Sequence, residues 1–344
     1  MDDLPLCQEV SSLSRRVQNM KTEDVKSEDV KLKDKDAAGS KSNKNVVQNG
    51  DIIHRPQYPI VELREHMGTN IFSLTDFEEI RSVEVKPDDI WVVSFPRSGT
   101  TLTQEIVYLI SRNLDFENAK SEPLESRFPF LDLIDIRAPM FSGPSQIKNM
   151  ASPKLVKSHL HLHIMPSGVR EKTGKIVYVA RNPRDVIVSN YFFTKDLRTN
   201  VPELSMEEYL QAFISETTYA SPWWQHVKDY WKQRNDPNVL FILYEDLVEN
   251  TDEIVRTIAS FLGKDLSDEE VLKIVEHCSF ENMKNNSAVN GLSDTIPIGQ
   301  QLRRGKIGSW KEHFTEDMNR LVDIMVKNTL GDTDLVFRYE AKHQ

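Results

Sequence analysis

The chain has little with which to build a disulfide framework: its 344 residues contain two cysteines, Cys7 and Cys278. Cys7 lies in a polar stretch, so a reducing, cytoplasmic setting is expected. Long uncharged apolar runs are missing as well, and no transmembrane helix is expected. The acidic, polar N-terminus is unlike a secretory signal. Positive charge is in short supply, with 43 Lys and Arg against 53 Asp and Glu and a net charge of −10. A general nucleic-acid binder needs the opposite balance, whereas a small anionic ligand answers only to local cations. The Walker A pattern G-x-x-x-x-G-K-[ST] is also absent from the one loop where it would be looked for. Ser94-Phe95-Pro96-Arg97-Ser98-Gly99-Thr100-Thr101 has one glycine, and its cation precedes that glycine. This opposes a nucleoside-phosphate kinase.

What is present is organised around Ile90–Arg112. Ile90–Val93 is a short apolar run suited to a buried parallel strand. Gln104–Arg112 has helical spacing at Ile106, Leu109 and Ile110. A loop between such a strand and such a helix ends on unpaired N–H groups and positive dipole character, which is an anion site. Gly99 lets the backbone approach an anion, Ser98, Thr100 and Thr101 offer hydroxyls, and Arg97 adds a fixed charge.

Residues 1–50 read as a disordered charged tail. Eleven residues of Met20–Asp36 are charged, too polar a segment to offset its ordering entropy. Residues 51–344 read as a single domain. A strand is expected near Tyr58–Val61 and a short helix over Asp76–Ile80. Leu114–Gln146 is apolar but without sustained period, as lids and binding loops often are. Lys154–His159, Lys175–Ala180 and Val239–Leu243 are further strands. Helices are expected over Val186–Phe193, after the Ser221-Pro222 cap, and over Asp252–Leu262, Ser267–His277 and Thr315–Asn328. The Trp223, Trp224, Val227 and Trp231 stripe reads as core. Strands alternating with helices imply an α/β fold with a central parallel sheet covered on both faces.

Several strand ends and loops carry cations: Arg97, Lys157, Arg181 with Arg184, and Arg303 with Arg304. Their clustering suggests a pocket for a multiply charged anion. His159, two residues past Lys157, is a candidate general base. His159, His161 and His163 alternate, and a strand would present all three to one face, which is the metal-hydrolase alternative.

As a set, these motifs resemble the cytosolic sulfotransferases, which use 3′-phosphoadenylyl sulfate (PAPS) to sulfate hydroxyls and amines of small molecules. S-F-P-R-S-G-T-T is similar to the family's Y-P-K-S-G-T-T, and K-S-H-L to K-T-H-L. R-N-P-R-D-V-I-V-S is similar to R-N-P-K-D-x-x-V-S, and Y-E-D matches a segment before a helix. C-S-F-E-N-M-K-N-N is similar to T-S-F-x-x-M-K-x-N, and R-R-G-K-I-G-S-W-K to R-K-G-x-x-G-x-W-K. The resemblance covers Tyr58 to Tyr339. Arg at the loop cation and the following T-L-T-Q look most like invertebrate members, insect retinol dehydratase-type sequences among them.

The resemblance implies a P-loop-like phosphosulfate-binding strand-loop-helix and a set of roles. Arg97, Ser98, Gly99, Thr100 and Thr101 would hold the 5′-phosphate and sulfuryl group, and Lys157 would donate to the bridging or sulfuryl oxygens. Arg181, Ser189, Arg303, Arg304 and Gly305 would hold the 3′-phosphate. Tyr244, Ser279 and Phe280 would surround the adenosine, and His159 would be the base. It implies no metal, a small-molecule acceptor (a phenol, steroid-like alcohol, retinoid or aryl amine), and neither nucleic-acid nor membrane partners. Retinol dehydratase-like chemistry through a transient sulfate ester, and a catalytically silent PAPS-binding protein, are the alternatives. The sequence departs from the family at Arg97 (usually Lys), Leu102 (a Trp stacking on adenine) and Cys278 (Thr). It also departs at the dimer motif, which reads Lys311, Thr315, Glu316 and Arg320. Either a monomer or a homodimer is compatible with that alteration.

Overall fold

The computed structural model describes residues 77–133, 142–197, 204–290 and 302–342. The charged tail, the domain boundary near residue 51, the strand expected near Tyr58, and Cys7 lie outside the described residues. Four strands run parallel in the order β2-β1-β3-β4: β1 Ile90–Ser94, β2 Leu155–Ser158, β3 Lys175–Ala180 and β4 Val239–Leu243. Ile90 lies opposite Leu155 on one side and Lys175 on the other, and Ile176 opposite Val239. The strand order therefore reverses at β1, and the crevice for a ligand opens beyond its C-terminal end. Ser94, Ser158, Arg181 and Tyr244 all stand at or just past strand C-termini.

The longer helices are α1 Thr100–Ser111, α2 Pro183–Leu197, α3 Met206–Ile214, α4 Trp223–Lys232, α5 Thr251–Leu262, α6 Asp268–His277 and α7 Glu316–Leu330. Alternate residues of β1 enter different cores. Trp91 and Val93 pack with α2, α3, α4 and α7, while Ile90 and Val92 pack with α1, α5 and α6. Both faces are thus covered by helices, and every residue of β1 is buried. That is why its sequence is a continuous apolar run rather than an alternation. Leucine-sized side chains in these clusters each contribute roughly 1.5–3 kcal/mol by leaving water.

Local signals explain most helix ends. Ser267 and Glu270 form a reciprocal capping box at α6, Thr315 caps α7, and Gly263 ends α5 at φ 75°. The expected short helix lies at Phe77–Arg81. Three expectations need correction. Ser221 does not cap α4: its hydroxyl lies 2.7 Å from that of Thr218, and Pro222 occupies the cap position in an extended conformation. The helix after the loop starts at Thr100 rather than Gln104, because the polar first turn Thr100–Thr103 hides it from an apolar periodicity. The segment expected to be irregular contains short helices at Phe116–Ser121, Leu124–Arg127 and Pro144–Lys148. Asp115 caps the first of these by accepting from the Asn118 N–H at 3.1 Å. Residues 134–141 lie outside the described set.

Candidate active site

The loop after β1 is built to leave donors facing a ligand. Gly99 takes the N-cap of α1 at φ 105°, and no side chain caps the helix. A Cβ at Gly99 would collide with the Tyr244 ring, so glycine is required by both conformation and space. The Ser94 and Thr100 hydroxyls lie 2.6 Å apart. Ser98 Oγ is fully buried with no partner in the protein. A buried hydroxyl without a partner carries a cost, which an anion oxygen would remove. The first turn of α1 contains no acidic residue, so nothing neutralises its dipole.

The base candidate is held from two sides. His159 is buried, and its Nδ1 lies 2.7 Å from the Ser94 carbonyl. A carbonyl only accepts, so Nδ1 carries the proton and Nε2 keeps the lone pair. Burial pushes the imidazole pKa down to about 3, and the positive charges of Lys157 and Arg97 push in the same direction. His159 is therefore neutral at neutral pH. Lys157 itself is shifted below the usual ammonium range, first by burial and further by Arg97. Its ammonium sits 4.3 Å from the centre of the Phe130 ring, which lies perpendicular to the His159 ring with centroids 5.2 Å apart. Asp132 fixes the backbone between them. It accepts from the Ser158 hydroxyl and from the His159 N–H, both at 2.7 Å, and the Tyr219 side chain also bonds to it. Burial pushes the Asp132 carboxyl up to about 7, against these hydrogen bonds and Lys157. Behind the loop, His226 Nε2 lies 3.2 Å from the His159 carbonyl and His226 Nδ1 lies 2.8 Å from Tyr178 Oη.

A second positive region adjoins the loop. Arg97 Nε donates to Ser189 Oγ at 3.2 Å, and its guanidinium lies 4.5 Å from the centre of the Phe193 ring. Arg181 donates to the carbonyls of Arg97 and Lys306 at 3.2 and 3.1 Å and lies over Tyr244 at 4.3 Å. Its Nε is buried and has no partner. Arg303 lies over Phe192 at 4.7 Å. Its pKa is lowered by burial and then by Arg304 and Arg181, so the three cations feel one another. Gly305, at φ 64°, rests against the Phe280 ring so closely that a Cβ would strike it. Asp185 ties these loops together. It accepts from Gly308 N at 2.8 Å, Ser309 Oγ at 2.9 Å and Trp310 N at 3.2 Å.

Some sequence candidates have other local bonds. Arg184 leaves the cation cluster: it lies over Trp310 and Tyr339 and pairs with Asp323 at 2.6 Å. Ser279 caps the helix Phe280–Asn285 through Asn282 N, and Arg304 pairs with Glu312. Leu102 packs against the core around α1, and Cys278 is buried in that same core. The three alternating histidines do not share a strand face. β2 ends at Ser158, His159 turns to Ser94, and His163 sits in a 3₁₀ turn, Leu162–Ile164. In the altered dimer motif, Lys311 pairs with Glu340 at 2.8 Å and Arg320 with Asp317 at 2.5 Å. Phe130, Asp132, Asp185, Phe193, Tyr219 and His226 were not marked by sequence. Asp132 could have been noticed as an acid within an apolar run, but its partners are distant in the chain.

The donors suit a large polyanion. Ser98 Oγ and Arg181 Nε are buried donors awaiting acceptors, and the glycine contacts at Tyr244 and Phe280 line an aromatic cradle. Arg181, Arg303 and Arg304 stay close enough to feel one another, although Arg181 also lies 3.9 Å from Asp185 and Arg304 pairs with Glu312. Fold and site define a P-loop-like α/β protein with buried donors and cations gathered at the switch point of its sheet. Residues 87–334 match the sulfotransferase domain family. Bovine sulfotransferase 1E1 is 36% identical over 272 residues, covering 77% of this chain and 91% of the relative. Mouse sulfotransferase 4A1 is 34% identical over 262 residues, 76% of this chain and 87% of the relative. Among solved structures, retinol dehydratase in complex with retinol and PAP is similar at TM-score 0.72 and 30% identity, covering 83% of this chain and 97% of that one. Mouse sulfotransferase SULT7A1 complexed with PAP is similar at TM-score 0.61 and 27% identity, over 75% and 89%. The chain belongs to the sulfotransferase family and is a sulfotransferase, an enzyme of sulfuryl transfer. Among the described residues no helix is long and apolar enough to cross a membrane.

Proposed function

We propose that the chain transfers the sulfuryl group of PAPS to a hydroxyl or amine of a small, largely apolar acceptor, with His159 as general base. The observation that carries this is the His159–Ser94 hydrogen bond, which leaves Nε2 as the acceptor beside Lys157 and Arg97. When bound, PAPS supplies a sulfuryl group on a phosphate leaving group. The remaining work belongs to the chain. His159 Nε2 takes the acceptor proton, raising the acceptor's nucleophilicity. Arg97, Lys157 and the uncapped start of α1 stabilise charge developing on the leaving oxygen. Arg181, Ser189, Arg303 and Arg304 hold the far phosphate and so fix the direction of attack. Burial is the main cause of the low His159 pKa; negative charge arriving beside Lys157 and Arg97 relieves the smaller, repulsive part of that depression. The retinol and androsterone named for the related retinol dehydratase structures support an apolar alcohol as acceptor.

Turnover of labelled PAPS against a panel of phenols, steroid alcohols, retinoids and aryl amines tests the reading. His159→Ala is expected to lower kcat by about 10²–10⁴-fold while PAP still binds. Near-wild-type turnover in that variant removes His159 from the mechanism. Absence of turnover with every acceptor, despite PAP binding, favours a PAPS-binding protein instead. The likeness to retinol dehydratase supports a second outcome, in which a retinoid sulfate ester loses sulfate and a proton. Product analysis separates a stable ester from the dehydrated product.

A further inference from the structure

His161 and His163 are not used by the sulfuryl-transfer machinery. Their side chains meet Asp229 of α4 instead, and one ligand atom from each of the three lies within 4.8 Å of the others. His161 is buried, Asp229 half-buried and His163 exposed, so the cluster runs from the interior to solvent. His161 Nε2 lies 3.0 Å from the Ala220 carbonyl and 3.2 Å from that of Ser221. Carbonyls only accept, so Nε2 carries the proton and Nδ1 the lone pair. Metal-binding imidazoles are typically anchored in this way, because a carbonyl behind the ring sets its tautomer and orientation and raises its basicity. Asp229 is oriented as well, accepting from Gln225 Nε2 at 2.5 Å. The two imidazole rings are tilted at 49° with centroids 5.7 Å apart, an arrangement that lets both face one point without stacking.

The spacing of these groups is held by the framework. Tyr230 of α4 donates to the Leu160 carbonyl at 3.2 Å, and His226 reaches the His159 carbonyl. The helix carrying Asp229 is therefore already joined, from both sides of Asp229, to the two residues that precede His161.

We propose that His161, His163 and Asp229 form a site for a zinc-class divalent ion, which clamps the segment after His159 to α4. Two imidazoles and one carboxylate suit Zn²⁺ rather than Ca²⁺ or Mg²⁺, which prefer all-oxygen sets. A fourth position is left for water. Arg81 and Arg170 lie near enough to act on His163, and their positive charge moderates the affinity. The site is structural, and its occupancy does not depend on the identity of the sulfuryl acceptor.

The full chain, stripped with a chelator and dialysed, tests this by calorimetric titration with Zn²⁺ and by the visible spectrum with Co²⁺. One Zn²⁺ per chain is expected, with a raised melting temperature and the intense d–d bands of a four- or five-coordinate Co²⁺ site. His161→Ala removes a buried ring and can fail to fold, so His163→Ala and Asp229→Asn carry the test. Each is expected to weaken Zn²⁺ binding by at least about tenfold and to abolish both the bands and the thermal shift. Zn²⁺ uptake unchanged in both variants, a Co²⁺ spectrum of the hydrated ion only, or loss in just one variant overturns the three-ligand site.

Discussion

Arg97 donates to Ser189 at 3.2 Å, joining the loop after β1 to the helix after β3. The two residues come from motifs 92 positions apart, one assigned to each end of PAPS. On the proposed assignments the loop cation would lie between both ends of the ligand. It also raises the question of what Arg contributes that Lys would not.

The charge is expected to matter most. Arg97→Lys should retain much of the turnover, since an ammonium is also a good phosphate cation. Arg97→Met should lower kcat strongly by removing stabilisation of the leaving charge. Its effect on PAP affinity should be smaller, because Arg181 and Arg303 remain. Steady-state kinetics and PAP dissociation constants for both variants check this. Equally severe loss in the two would show that the Phe193 stacking and the guanidinium fork are required.

Asp132 should act on His159 through position. Asp132→Ala leaves the Ser158 hydroxyl and the His159 N–H without their acceptor, at about 1–3 kcal/mol of stability for each donor left buried. It should lower kcat more than it raises the KM for PAPS. Asp132→Asn keeps the shape and should restore part of the stability. Unaltered kcat in a folded Asp132→Ala enzyme would limit Asp132 to a structural part.

The same carboxyl predicts a pH dependence. Its pKa is raised from 3.8 to about 7 in the folded chain. Between those values the folded state holds a proton that the unfolded state has lost. Its stabilising contribution is thus complete below about pH 4 and disappears as pH rises through about 7. The melting-temperature difference between wild type and Asp132→Asn should change across that window. A difference independent of pH would show that Asp132 is ionised throughout.

Lys157 offers a second pH test. Burial and Arg97 lower its pKa in the ligand-free protein, whereas a bound anion would favour the ammonium. Binding then takes up a proton, and PAP affinity should weaken as pH rises through the lowered pKa. Lys157→Arg, charged at every accessible pH, should flatten the profile. A steep alkaline fall that persists in Lys157→Arg would assign the proton elsewhere.

Gly305→Ala should weaken PAP binding without unfolding the chain. The new methyl strikes the Phe280 ring at a backbone φ of 64°, so ring or loop must shift. Calorimetry with PAP checks it, and unchanged affinity would separate Phe280 from the adenosine.

The strand-loop-helix around Gly99 was legible in the sequence because its parts are contiguous: an apolar run, a glycine with hydroxyl neighbours, a helical stripe. β1 and β3 were legible for the same reason, since burial makes each a nearly continuous apolar run, and β4 is apolar although half-buried, whereas β2 shows only Leu155 and Val156 before its polar end. Local pattern misled where a competing partner decided. Ser221 looked like a cap, but its hydroxyl turns to nearby Thr218 and Pro222 holds the cap position. Arg184 looked like part of the cation cluster, but Trp310, Tyr339 and Asp323 hold it away. His161 and His163 looked like neighbours of His159 on a strand face, but β2 stops at Ser158 and α4 brings Asp229 to them instead. Nothing near Asp132 in sequence reveals that it holds the backbone of His159, 27 positions on. The sequence alone determined the elements and the chemistry available at strand ends, because those depend on period and on residue type. Only the tertiary structure decided which side chains share a site, because buried polar groups take whichever partner the packing of remote segments brings within hydrogen-bond distance.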